Sequence, residues 1–163
     1  MSETLVLGLG NILLRDEGVG VRVIERLQAL YEFPRGIRIV DGGTLGLDLL
    51  PYLENASRLV VVDAVPVRES PGALVRLTGG EIATFMDAVG ISLPQTGLQE
   101  LLAVAMLKGY LPDEVVFWGV QVESLGVGLE LSTAVAASVD VLVRNVLAEL
   151  ASWGIQPREK RLE

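Results

Sequence analysis

The chain has 163 residues, half of them hydrophobic and 21% charged, which fits one globular domain and argues against disorder or low-complexity structure. It contains no cysteine and no histidine, which excludes disulfides, thiol nucleophiles, Ser-His-Asp triads and imidazole metal ligands. The formal net charge of −8 repels a phosphate backbone, so nucleic acid is not expected as a partner.

Apolar segments typical of strands alternate with segments of helical periodicity. In chain order, the sequence predicts strand 4–9, helix 19–30, strand 37–40, a weaker helix 45–53, strands 58–62 and 73–77, a weaker helix 80–89, helix 98–106, strand 115–120 and helix 132–150. This alternation predicts one α/β domain over residues 1–157, with a three-layer α/β/α sandwich. The charged tail 158–163 is predicted to be disordered.

The N-terminal segment runs directly into an apolar strand, without the basic and hydrophobic pattern of a secretory leader. No apolar run approaches the roughly 18 residues of a membrane-spanning helix. We therefore expect a soluble cytoplasmic protein.

Acidic residues follow each of the first three predicted strands. Asp16 and Glu17 come after the first strand, Asp41 after the second and Asp63 after the third. Ligands of such sheets bind beyond the carboxyl ends of the strands, so these four side chains are expected to gather at one edge. Asp41 equally suits a turn, and Asp16 and Glu17 suit a helix N-terminus. Asp63 ends a run of valines, where an acid without a partner is costly, which favours a functional role.

The glycines after the first strand leave a second interpretation open. Gly8-Leu9-Gly10 followed by the acid Asp41 is typical of a dinucleotide-binding domain. The third glycine of that fingerprint would fall on Leu13, and a lone Gly-x-Gly is a weak signal. A nucleotide-binding α/β module remains the alternative.

Several ordered segments resemble the nickel-iron hydrogenase maturation endopeptidases, over residues 4 to about 150. The first is the glycine-rich segment 8–20, which looks like the N-terminal signature of that family. The later ones are Asp41-Gly42-Gly43-Thr44, Val62-Asp63-Ala64, Gly97-Leu98-Gln99-Glu100-Leu101-Leu102, Gly119-Val120-Gln121-Val122-Glu123-Ser124 and Gly128-Leu129-Glu130-Leu131-Ser132.

The resemblance implies a fold and a reaction. The fold is a twisted, mostly parallel five-stranded sheet between helices. The reaction is removal of the C-terminal extension of the hydrogenase large-subunit precursor after nickel insertion, so this precursor is the expected partner. Glu17 and Asp63 match the nickel-contacting acids of the family, and Asp41 matches an acid tied to cleavage or recognition. These three acids are the expected catalytic residues, because a carboxylate and a metal can together activate water without a Ser or Cys nucleophile.

The sequence departs from the family where a histidine usually provides a third metal contact. That position falls on Pro94, which has no side chain able to bind a metal, and Gln95 is the nearest substitute. Carboxylate and amide oxygens suit hard ions better than nickel. We therefore expect a weak metal site of Glu17, Asp63 and Gln95, with nickel delivered in the substrate. A non-catalytic chaperone that binds the nickel-loaded large subunit is a further alternative.

Overall fold

The computed structural model describes residues 3–66, 69–89 and 97–161. The elements are β1 (Glu3–Leu9), a 3-10 turn (Arg15–Gly18), α1 (Val19–Leu30), β2 (Tyr31–Glu32), β3 (Ile37–Gly43), a second 3-10 turn (Gly46–Leu49), α2 (Leu50–Leu53), β4 (Ala56–Val65), β5 (Leu74–Thr78), α3 (Gly80–Val89), α4 (Leu98–Lys108), β6 (Glu114–Gln121), α5 (Thr133–Ser152) and β7 (Arg158–Glu159). The weak helical pattern at 45–53 corresponds to the second 3-10 turn followed by α2.

The main sheet has five strands in the order β3-β1-β4-β6-β5. The first four run parallel, and β5 pairs antiparallel with β6 at the edge. This confirms the predicted α/β class and the mostly parallel sheet. Parallel strands covered on both faces are apolar throughout, as Leu59 to Val62 in the centre of β4 are.

Two separate hydrophobic clusters cover the two faces of the sheet, which confirms the three layers. Alternate residues of β4 belong to opposite clusters, because side chains alternate across a strand. Val60 and Val62 pack with α1 and α5. Leu59, Val61 and Val65 pack with the second 3-10 turn, α2, α3 and α4.

A close approach of backbones fixes the start of α1 against the sheet. A Cβ at Gly20 would lie 2.5 Å from the carbonyl oxygen of Leu9 and would collide with that of Val62. A Cβ at Gly10 would likewise collide with the carbonyl oxygen of Glu17. These glycines therefore serve packing within the chain, at the place where a dinucleotide fingerprint would leave room for a pyrophosphate.

Residues 158–160 of the tail, for which disorder was predicted, form backbone hydrogen bonds with the end of α1 and with β2. Arg158 and Glu159 pair antiparallel with β2, and the amide of Lys160 donates to the carbonyl of Leu30 at 2.9 Å. Arg158 also forms a 2.7 Å ion pair with Glu32. Ile155, three residues before β7, packs against the α1/α5 cluster. Residues 162 and 163 lie outside the described residues.

Within the described part of the chain, none of the helices combines the length and the apolar character needed to span a membrane.

Candidate functional site

The candidate acids lie at the carboxyl edge of the sheet, as predicted, and the first two share one turn. Asp16 and Glu17 belong to the 3-10 turn Arg15–Gly18, which connects β1 to α1. Arg15 has φ 48°, the only positive φ of a non-glycine residue among the described residues. This conformation is unfavourable for an arginine, and such strain is concentrated at functional sites.

Asp16 is fully buried and holds two segments of the chain together. One carboxylate oxygen accepts from the amides of Glu123 and Ser124 at 2.9 and 2.8 Å and from the Ser132 hydroxyl at 2.8 Å. The other accepts from the Ser132 amide at 2.7 Å. Burial raises the pKa of Asp16, but these hydrogen bonds outweigh it and leave the pKa below its usual value. Asp16 is therefore occupied as a structural anchor.

Glu17 is buried to 2% exposure in a different environment. A backbone hydrogen bond from Asn11 reaches its carboxylate, while Oε1 has no hydrogen-bond partner among the described residues. Burial raises the pKa of Glu17, and the Asn11 bond offsets this only in part. A buried carboxylate oxygen without a partner is costly, which points to a ligand that completes it.

Asp63 lies near the end of β4 and is 3% exposed. Its Oδ1 accepts from the amide of Ala64 at 2.8 Å. The 3-10 turn that carries Glu17 packs on β4. The fold therefore brings the segments of two buried acids, Glu17 and Asp63, into contact at the carboxyl edge.

Asp41 is placed differently from these two acids. It is exposed at the end of β3, where it pairs with Gly8, whose other neighbour is Val62 of β4. Two strand spacings separate β3 from β4, about 10 Å. Asp41 shares its face of the sheet with Ile39, on the α1 side, whereas Asp63 shares the opposite face with Val61. Asp41 therefore lies apart from the buried acids.

The described residues do not form a complete set of metal ligands. Among them, no group of three or more Asp or Glu side chains is placed to hold a metal ion, and the chain has no His or Cys. Pro94 and Gln95 lie outside the described residues. The described chain resumes at Gly97, where a Cβ would lie 2.9 Å from the Cα of Gly46, the first residue of the second 3-10 turn. Gly97, the residue directly before α4, therefore lies next to the second 3-10 turn.

Sequence reasoning did not identify the anchoring role of Arg15. Its Nε donates to the carbonyl of Glu130 at 3.0 Å, and its Nη1 donates to the Ser124 hydroxyl at 3.1 Å. Its backbone amide donates to the carbonyl of Gly128 at 3.0 Å. The visible signal was a single basic residue directly before two acids. Its partners, however, lie more than a hundred residues further along the chain.

Replacing Glu17 by Gln should stabilise the protein at pH 7 to 8. A carboxyl whose folded-state pKa is raised is destabilising once it ionises, and this cost grows as the pH rises above the unfolded-state pKa. The neutral amide avoids the cost. We expect the melting temperature in chelator-treated buffer to rise by about 2–4 °C, the shift that about 1 kcal/mol produces in a domain of this size.

The gain should shrink as the pH falls towards 4, because Glu17 of the parent then becomes protonated and carries no charge for the substitution to remove. Glu81→Gln serves as the control of opposite sign, because amide and hydroxyl bonds from Thr78 lower the pKa of Glu81. Replacing Glu81 by Gln should not raise the melting temperature at pH 8 or at pH 4. An equal melting temperature for Glu17→Gln and the parent at pH 8 would contradict the raised pKa.

Comparison with known proteins identifies similar sequences over nearly the whole chain. A sequence profile described as hydrogenase maturation protease matches residues 21–149. The hydrogenase expression/formation protein HupD of Rhodobacter capsulatus is 44% identical over 155 residues, covering 94% of this chain and 74% of that protein. The hydrogenase 2 maturation protease of Escherichia coli is 38% identical over 159 residues, covering 95% and 96% of the two chains.

Solved structures give the same result for the fold. The hydrogenase maturating endopeptidase HybD from E. coli superposes with a TM-score of 0.90 at 35% identity, covering 97% of this chain and 98% of the other. A hydrogenase 2 maturation peptidase from a Thaumarchaeota archaeon superposes with a TM-score of 0.72 at 32% identity, covering 92% and 99%.

Proposed function

Because the chain belongs to the hydrogenase maturation protease family, we propose that it is the endopeptidase that removes the C-terminal extension of a nickel-loaded nickel-iron hydrogenase large-subunit precursor. The observation that carries the proposal is the buried Glu17 carboxylate, whose Oε1 has no hydrogen-bond partner among the described residues, on a turn packed against the strand of Asp63. Both acids lie at the edge of the sheet where ligands bind in this fold class.

In this proposal, nickel belongs to the substrate. Among the described residues, Glu17 and Asp63 have no third acidic ligand beside them, because Asp16 is committed to hydrogen bonds with Glu123, Ser124 and Ser132. This arrangement suits contact with an ion that the precursor already holds better than a resident metal cage. Glu17 and Asp63 contact the nickel of the bound precursor, and Gln95 contributes its amide oxygen as a third, weaker contact. Two carboxylates and an amide hold nickel weakly without the substrate.

The chemistry follows from the lack of a thiol nucleophile and of a histidine that would activate a serine. Without Cys or His in the chain, hydrolysis proceeds by attack of water on the scissile carbonyl. One of the two buried acids accepts the proton of that water. Burial raises the pKa of Glu17, which makes its carboxylate a stronger base than an exposed one. Exposed Asp41 acts in recognition or cleavage of the precursor, from the opposite face of the sheet.

The glycine-rich segment itself argues against a nucleotide. Gly18, Val19 and Gly20 at the start of α1 are buried, and the carboxylates of Asp16 and Glu17 precede them directly. A phosphate would need exposed amides there and would meet two acids instead. The proposed precursor is therefore favoured over a dinucleotide.

The test is incubation of the purified chain with nickel-loaded precursor, followed by intact-mass measurement. We expect the precursor to lose the mass of its C-terminal extension, and nickel-free precursor to remain uncut. A stable complex with precursor of unchanged mass would instead identify a non-catalytic chaperone. An altered melting temperature with a dinucleotide, and none of these effects with precursor, would identify a nucleotide-binding module.

A further inference from the structure

Three large aliphatic side chains are exposed on two neighbouring backbone segments at the carboxyl edge of the sheet. Leu13 is 58% exposed, Val127 91% and Leu129 59%. They belong to distant parts of the sequence, and a parallel bridge between Leu14 and Gly128 brings them together. The amide of Gly128 donates to the carbonyl of Leu13 at 2.8 Å. We call Leu13, Val127 and Leu129 the apolar ridge.

The ridge is held firmly although it is exposed. Beneath Gly128, the Cγ of Arg15 would lie only 3.2 Å from an added Cβ, so the arginine stem fills the space below the loop. The Nη2 of Arg22 donates to the carbonyl of Leu129 at 3.0 Å. Asp16 binds both ends of this loop, through Ser124 and Ser132. An exposed apolar loop fastened by two arginines and a buried acid is a pre-ordered surface, which costs little entropy on binding.

The ridge is also continuous with the candidate site. Leu13 precedes the turn of Arg15 to Gly18, and that turn carries Glu17. The side chains of Glu123 and Glu130 lie exposed on the same loop and form no ion pair within the described part of the chain. An apolar centre with a polar rim is typical of a protein interaction site.

We propose that the apolar ridge docks the hydrogenase large-subunit precursor and so delivers its C-terminal extension to Glu17. This inference rests on the proposed function and specifies the surface that recognises the substrate. The matching surface of the precursor is an apolar patch bordered by basic side chains, which complement Glu123 and Glu130.

The size of the ridge favours this occupant over a second copy of the chain. Three side chains expose apolar surface on the order of a few hundred Å², the size of a functional patch on a monomer. A specific dimer buries about 800 Å² on each partner. The ridge is thus suited to one part of a transient contact, whose remainder comes from the site and the extension.

The test uses Val127→Asp/Leu129→Asp, with Val127→Ser/Leu129→Ser as a neutral second variant. The matched control is Leu107→Asp, because Leu107 is 86% exposed and lies near the end of α4. Gly109, which follows α4, lines a pocket together with Ala56 at the start of β4, so this control lies at the opposite edge of the sheet from the ridge. Processing of nickel-loaded precursor gives kcat and KM. Each surface variant is also made in the Glu17→Gln background, which prevents turnover. Its Kd for the same precursor is compared with that of Glu17→Gln alone.

We expect KM and Kd of both ridge variants to rise about tenfold or more, as for loss of a binding hot spot, with kcat and the melting temperature near those of the parent. The Leu107→Asp control should match the parent. Values within twofold of the parent for both ridge variants overturn the docking role. The docking role is also overturned if the parent elutes as a dimer and the ridge variants elute as monomers.

If the chain is not an endopeptidase, the binding and cutting results differ from those above. A parent that binds precursor without cutting it, while the ridge variants do not bind, refutes the endopeptidase and retains the docking surface. A parent that neither binds nor cuts refutes both.

Discussion

Precursor processing should fall by about a hundredfold or more when Glu17 is replaced by Gln, the typical loss on removing a general acid or base. The amide preserves the volume of the side chain and an acceptor for the Asn11 amide, but it provides neither a charge for the metal of the substrate nor a base for water. Because ionised Glu17 destabilises the fold, the same variant should melt at a higher temperature than the parent at pH 8. Lost activity together with gained stability is the behaviour expected of a functional residue.

Asp63→Asn should show the same loss of processing. Asp63 lies near the end of the buried strand β4, and its replacement by Asn removes a charge with little change in volume. Product formation is followed by intact mass, and circular dichroism verifies the fold.

The matched control is Asp87→Asn, an exposed acid on α3 in the same layer of helices that covers the Asp63 face. It should process precursor at the parental rate. Asp41→Asn separates recognition from chemistry, because a recognition role predicts a raised KM at unchanged kcat. Parental rates for both Glu17→Gln and Asp63→Asn would refute the site.

Hydrophobic patterning was sufficient to predict the layers of this fold. Val60, Val61 and Val62 are all fully buried, as a continuous apolar run in a covered parallel strand requires. The predicted helix 80–89 has the bounds of α3. These elements are specified locally, because their periodicity depends only on neighbouring residues.

The pairing of β2 with β7 was not predictable in the same way. Each strand has only two residues, and three of the four are exposed. Ile155, between α5 and β7, packs against the α1/α5 cluster, so tertiary contacts accompany this pairing. Short polar segments carry no periodic signal, so only tertiary contacts reveal them.

The site was predictable by position but not by role. Acids at strand ends indicated the carboxyl edge of the sheet, where the structure places them, yet adjacent Asp16 and Glu17 look alike in sequence. The unusual φ of Arg15 and the distant Ser132 separate them, since one acid is saturated with hydrogen bonds and the other lacks a partner for Oε1 within the described part of the chain. The separation of Asp41 likewise depends on which face of β3 is covered by which helices.

Asp16→Ala should cause the largest loss of stability, about 3–5 kcal/mol. It leaves the amides of Glu123, Ser124 and Ser132 and one hydroxyl without their acceptor, and each buried unsatisfied donor costs about 1–3 kcal/mol. Urea unfolding at pH 7 measures the difference. Asp140→Ala is the control, since its ion pair with Arg26 is exposed and such pairs contribute at most about 1 kcal/mol.

The difference between Asp16→Ala and the parent should also depend on pH. Because hydrogen bonds hold the pKa of Asp16 below that of an unfolded aspartate, its stabilising contribution is fully present above the unfolded-state pKa. It is lost as the pH falls through the still lower folded-state pKa. The parent and Asp16→Ala should therefore differ by a constant free energy of unfolding from pH 7 to pH 5 and converge progressively below pH 4. A difference that stays constant down to pH 2 would show that the amides around Asp16 do not depend on its charge, and would contradict its role as the ionised anchor between the turn of Glu17 and the apolar ridge.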